Sequence, residues 1–120
     1  MIITLDKKEI GCLCYANFHL QPHRAELDIW LNAQKYCGHG YGTDALEKMM
    51  EYLKSNMNIN KFLIRPSKKN LPAIKSYKKA GFLKVNAKKA VISEYLLPKY
   101  LEEYSEGDYG FENTTVLILE

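Results

Sequence analysis

The sequence predicts one mixed α/β unit, a β-sheet flanked by two clear helices, spanning residues 1–120. Three observations carry this. The first third reads as strands, with clean period-two alternation at Arg24–Leu31. Two helical stretches follow, at about 41–55 and 71–80, separated by a short strand. The chain has 120 residues of which 47% are hydrophobic, enough for one small core and too few for two domains.

Ile2–Leu5 is a short run rich in β-branched residues, and Asp6-Lys7-Lys8-Glu9 reads as a turn into a longer strand, Ile10–His19. On that strand Ile10, Cys12, Cys14, Ala16 and Phe18 share one face, while Leu13 and Tyr15 make the other face apolar, so burial on both sides is expected. Gln21-Pro22-His23 breaks the run. In Arg24–Leu31, Ala25, Leu27, Ile29 and Leu31 alternate with Glu26, Asp28 and Trp30. A glycine-rich turn, Cys37-Gly38-His39-Gly40-Tyr41-Gly42, opens the first helix, whose Leu46, Met49, Met50 and Leu53 recur at helical spacing. Lys61–Arg65 is a strand and Pro66–Asn70 a loop. Asn70 is suited to cap the next helix, Pro72 to its first turn and Gly81 to its end. Phe82–Val85 resumes strand, Val91–Tyr104 is partly helical and Thr114–Leu119 is the final strand.

No apolar run approaches the roughly 18 residues of a membrane helix, and the N-terminus lacks the pattern of a secretory leader. Three cysteines without paired spacing favour reduced thiols and a cytoplasmic setting. The net charge of +3 is unevenly spread. Between Lys61 and Lys89 there are ten Lys or Arg and no acid, whereas Val91 to the end carries seven acids against Lys99 alone. The basic stretch suits phosphate and the acidic one a cation, the plain alternative being two solvated surfaces. A nucleic-acid site on Lys61–Lys89 is disfavoured, because its aromatics are taken up by helix and strand packing. His19, His23 and His39 are too scattered for metal ligands, and Cys12-x-Cys14 lacks the partners of a tetrahedral zinc site, so no metal is expected.

The glycine turn has competing readings. A helix start with exposed N–H groups and no Cβ atoms is suited to a phosphate. A Walker A loop is excluded, since Thr43-Asp44 follows Gly42 where Lys-Ser/Thr is needed, and the spacing G-x-G-x-G departs from the dinucleotide fingerprint. A plain tight turn remains open.

Taken together, Ala25–Leu31, Gly38–Leu46 and the segment Asn70-Leu71-Pro72-Ala73-Ile74-Lys75-Ser76-Tyr77-Lys78-Lys79-Ala80-Gly81-Phe82 resemble the GNAT acyl-CoA N-acyltransferases over about residues 10–85. The resemblance implies a GNAT-like, mostly antiparallel central sheet, acetyl-CoA as cosubstrate and an amine acceptor. It also implies that the usual first strand and helix pair are missing, since Met1 stands at what matches the second strand. Either a partner subunit, such as a second copy in a homodimer, completes that side, or the acceptor cleft is unusually open, or activity is lost.

The family signature Q/R-x-x-G-x-G/A implies that Cys37, Gly38, His39, Gly40, Tyr41, Gly42 and Thr43 hold the CoA pyrophosphate. Cys37 departs from the expected Gln or Arg, which leaves most of the work to backbone amides. Ile29, Trp30 and Leu31 match the stretch whose backbone holds the thioester carbonyl, Asn70 a residue that helps hold the cofactor arm, and Tyr77 the tyrosine that protonates the departing thiolate. For Tyr77 the plain alternative is packing on its helix's buried stripe. Glu26 and Asp28 project from one face roughly 6.5–7 Å apart. They match positions where family members carry catalytic carboxylates, so that one takes the ammonium proton while the other binds the cationic amine. Each raises the other's cost of ionisation.

Pro66-Ser67-Lys68-Lys69-Asn70-Leu71-Pro72-Ala73-Ile74, with Tyr77 and Lys79-Ala80-Gly81-Phe82, looks most like the aminoglycoside 6'-N-acetyltransferase branch, and the acidic C-terminal third suits a polycationic acceptor. Ala25-Glu26-Leu27 and Gly40-Tyr41-Gly42-Thr43 also resemble the ribosomal-protein N-terminal acetyltransferases. A catalytically weak acyl-CoA-binding module is the alternative of another class.

Overall fold

A computed structural model describes residues 1–17 and 19–120. Its six strands are β1 (Ile2–Leu5), β2 (Lys8–Ala16), β3 (Arg24–Leu31), β4 (Lys61–Ile64), β5 (Leu83–Lys84) and β6 (Leu117–Leu119). They form one sheet in the order β1-β2-β3-β4-β6-β5. Only β3 and β4 run parallel; the other neighbours are antiparallel. The helices are α1 (Tyr41–Met57), α2 (Leu71–Lys79), α3 (Lys88–Tyr95) and the single turn α4 (Leu101–Tyr104).

The β1–β2 turn is tighter than Asp6–Glu9. Asp6 and Lys7 both adopt positive φ, 49° and 67°, the backbone of a two-residue hairpin turn whose twist matches its strands, so β2 begins at Lys8. The pairing shifts between Ile3 and Thr4, which leaves Ile10 as the extra residue of a bulge. The bulge resets the alternation, so that Ile10 and Leu13, of opposite parity, are both buried while Cys14 is exposed. Phe18, placed on this strand by its sequence, lies outside the described residues.

Ala25, Leu27 and Phe62 turn toward α1, whose Ala45, Leu46, Met49, Met50 and Leu53 make the core of that layer. Glu26, Asp28 and Arg65 lie on the opposite face, beneath the C-terminal segment. α2 ends as its sequence predicts: Phe82 N–H reaches the Tyr77 carbonyl and Gly81 N–H that of Lys78, with Gly81 at φ 105°. The Val91–Tyr104 stretch is partly helical as expected. α3 starts earlier, at Lys88, and ends at Tyr95; Leu96 and Leu97 are extended (ψ 140° and 144°), with Pro98 disfavouring helix at Leu97, and α4 follows.

Candidate functional site

The register of β3 and β4 runs from Arg24↔Lys61 to Leu27↔Ile64 and then stops. Pro66 carries no N–H for a ladder, so β4 ends at Ile64, whereas β3 continues to Leu31. The parting strands open a cleft of about 480 Å³. Asp28, Ile29, Asn70 and Tyr77 line it from the sheet and α2, and Glu103 and Asp108 from the C-terminal segment. The gap lets Asp28 on one face and Tyr77 from the helix layer of the other share one space.

The two carboxylates of β3 are not equivalent. Glu26 accepts from Arg65 Nε at 2.6 Å and from Arg65 Nη2 at 2.8 Å, one bond to each oxygen. Both of its oxygens are thus engaged by one planar guanidinium. Of the two acids expected to share the base and amine-binding roles, Glu26 is the one paired with Arg65. Asp28 has no such partner among the described hydrogen bonds. Although the residue stays exposed, partial desolvation pushes its carboxyl above the ordinary value; a hydrogen bond from the Ile29 N–H opposes this, and Asp108 and then Glu26 add smaller raising contributions. The mutual effect of the β3 pair is therefore minor, as expected when the Glu26 charge is neutralised at close range.

Tyr77 is buried, with its ring centroid 6.4 Å from that of Phe82. Burial first, then the charges of Asp28 and Tyr109, push its phenol well above the ordinary value. It is held protonated, the state from which an acid starts. Packing and cleft lining are both true of this residue. Asn70 caps α2, its Oδ1 accepting from Ala73 N–H at 3.3 Å, and lines the cleft.

At the glycine turn Gly38 and Gly40 have φ of 77° and 85°, and a Cβ on either would meet nothing within 4 Å. The space before α1 is thus open, and Gly40 is its N-cap. The first helical bond is Asp44 N–H to the Gly40 carbonyl, which leaves the amides of Tyr41, Gly42 and Thr43 without helical partners at the positive end of a 17-residue helix. Thr43 Oγ1 lies 2.7 Å from Ser76 Oγ, joining α1 to α2 one residue before Tyr77. Ile29 Cδ1 is 3.6 Å from where a Gly42 Cβ would sit, so turn, β3 and α2 converge.

Other expected residues stand apart. Cys37 is exposed, and its N–H is already given to the Gln34 carbonyl. His39 stacks on Tyr41 at 5.4 Å. The Trp30 side chain is 50% exposed and does not line the cleft. Sequence reading missed Arg65, although an arginine between a strand and a proline was a visible signal.

A family model described as an acetyltransferase (GNAT) domain matches residues 1–83. An N-acetyltransferase 9-like protein of Nematostella vectensis is 33% identical over 64 residues, 53% of this chain and 32% of that protein. Aminoglycoside acetyltransferase AAC(6')-Ib in complex with coenzyme A and kanamycin superposes with a TM-score of 0.68 at 19% identity, over 98% of this chain and 63% of that one. A spermidine N-acetyltransferase SpeG mutant from Vibrio cholerae gives 0.66 at 16%, over 98% and 62%. A dodecameric structure of the Vibrio cholerae enzyme gives 0.63 at 18%, over 94% and 58%. The chain thus spans about a third of the curated relative and about three fifths of the solved structures.

Proposed function

The chain belongs to the GNAT acetyltransferase family, and on that premise we propose that it moves an acetyl group from acetyl-CoA to a primary amine of a cationic small molecule. The observation that carries this reading is Asp28 and Tyr77 sharing one cleft where β3 and β4 part, with Glu103 and Asp108 on its rim.

Acetyl-CoA fits the residues present. Its pyrophosphate sits on the amides before and within the first turn of α1, where two glycines leave open space. The thioester carbonyl lies along residues 29–31, beyond the last β4 partner, so that the β3 edge there is open to a developing oxyanion. Asp28 takes the proton of the arriving ammonium. Its raised affinity for protons makes it a better base than an ordinary aspartate. The neutral amine then attacks the carbonyl carbon, the C–S bond breaks as Tyr77 gives the departing sulfur a proton, and the proton shed by the new amide nitrogen restores the Tyr77 phenol. A thiol holds its proton less tightly than a phenol, near pKa 8.5 against 10. Donation by Tyr77 is therefore concerted with C–S cleavage rather than a separate step.

The test is thiol release from acetyl-CoA across a panel of aminoglycosides, polyamines and N-terminal peptides. Turnover with the small cations supports the reading. Turnover confined to the peptides removes the small-molecule acceptor, and binding of acetyl-CoA without any turnover leaves an acyl-CoA-binding module.

A further inference from the structure

Arg65 takes no direct part in that chemistry, yet it is one of only two arginines among 17 basic residues, and its side chain is 8% exposed. Its guanidinium makes four hydrogen bonds in two directions. Nε and Nη2 reach Glu26 on the sheet, at 2.6 and 2.8 Å. Nη1 reaches the carbonyls of Tyr104 and Ser105 in the C-terminal segment, both at 3.1 Å. The segment lies directly on the guanidinium: a Cβ on Gly107 (φ 70°) would sit 3.2 Å from Nη1. His19 adds a second tie, stacking on Tyr104 with ring centroids 5.1 Å apart while its Nε2 lies 3.9 Å from Glu26 Oε2.

The segment held this way carries the cleft's remaining acids, Glu103 and Asp108. We propose that Arg65 is a positioning residue for the acceptor: with Glu26 it ties residues 103–109 to the sheet, so that Asp108 and Glu103 hold a second cationic group of the amine attacked beside Asp28. The inference rests on the acceptor reading above. A lysine cannot replace this residue, because one ammonium lacks the planar fork that spans a carboxylate on one side and two carbonyls on the other. The role is therefore geometric, and charge alone does not restore it.

Two measurements on the whole chain test it. Hydrogen exchange reads the order of residues 103–109, and calorimetry in the presence of CoA reads the binding of kanamycin and spermidine. Arg65→Lys should speed exchange in 103–109 and weaken amine binding roughly tenfold, while CoA affinity changes less than about twofold. Arg65→Met leaves the Glu26 charge uncompensated, which threatens folding. The paired variant Glu26→Gln/Arg65→Met removes both charges and should show the same split. Unchanged exchange, a parallel loss of CoA affinity, or full amine binding by the lysine variant each overturn the positioning role. If the wild-type protein takes CoA but neither amine, the acceptor reading fails first and carries this inference with it. Normal wild-type binding that the variants share removes the inference alone.

Discussion

At the scale of single residues, Asp28 ties activity to stability. Its proton affinity is raised by partial desolvation and neighbouring acids, so the folded state disfavours the charge that catalysis requires. A carboxyl whose folded pKa lies above its unfolded one favours folding in acid, and that advantage disappears as pH rises through the folded value. Because the Asp28 side chain stays exposed, solvent screening weakens this link, and Asp28→Asn should melt only slightly higher than wild type at neutral pH, with the gap closing below the ordinary value of 3.8. The same variant should lose most turnover, and wild-type turnover should fall with acid at a pH above 3.8. A substitution that lowers the melting temperature at pH 7 would contradict this account. Tyr77→Phe keeps the ring against Phe82 and removes only the proton, so kcat should drop roughly 10²-fold with CoA binding nearly intact. The placement of both on sheet and helix was legible from local pattern, Asp28 on an alternating strand and Tyr77 one helical turn after Ile74, whereas the roles proposed for them come from the family resemblance. The pairing of Glu26 was not legible, because its partner Arg65 stands 39 positions away and no periodicity connects them.

At the scale of elements, the glycine turn and the ends of α2 make separable predictions. Gly40 sits at φ 85° in open space, so a side chain there meets no steric wall and the penalty is conformational. Gly40→Val should leave the fold intact and weaken CoA about tenfold, by turning amides away from the phosphate path. Calorimetry with CoA is the check, and unchanged affinity would remove the turn from the site. Gly81 differs: φ is 105° and a Cβ would lie 3.2 Å from Leu119 Cδ1. Gly81→Ala should lower stability by about 1–3 kcal/mol in urea unfolding, with CoA affinity unchanged. The ends of α2 were readable because Asn70 and Gly81 act through their own backbone neighbours. β3 was read to its last residue for the same kind of reason, since each face announces itself by alternation. Element edges set by the third dimension were not. The regular strand begins at Leu117, yet Thr114 keeps an isolated antiparallel bridge to Ser67 and Thr115 N–H reaches the Pro66 carbonyl. The pairing expected over Thr114–Leu119 is thus interrupted rather than absent. The Ile10 bulge likewise depends on a slip against β1 that the sequence of β2 alone does not encode.

At the scale of the whole molecule, the charge asymmetry acquires a spatial meaning. Lys68, Lys69 and Lys75 are exposed near the start of α2, while exposed Glu103 and Asp108 line the cleft beside Asp28. One part of the surface is suited to a polyanion and the adjoining cleft to a polycation. A cation approaching this cleft feels Asp28, Asp108 and Glu103 together, because exposed charges within a screening length sum. That length is about 30 Å at 0.01 M salt and about 8 Å at 0.15 M, so the outer acids should drop out first as salt rises. The acceptor KM of spermidine should therefore climb steeply between those concentrations, and that of a monoamine of similar length only slightly. Turnover at saturating acceptor should hold nearly constant, because an amine bound in contact with Asp28 sits well inside the screening length at either concentration. A uniform salt effect on mono- and polyamines would mean that the cleft counts one charge only, and that the acidic segment serves solubility rather than recognition.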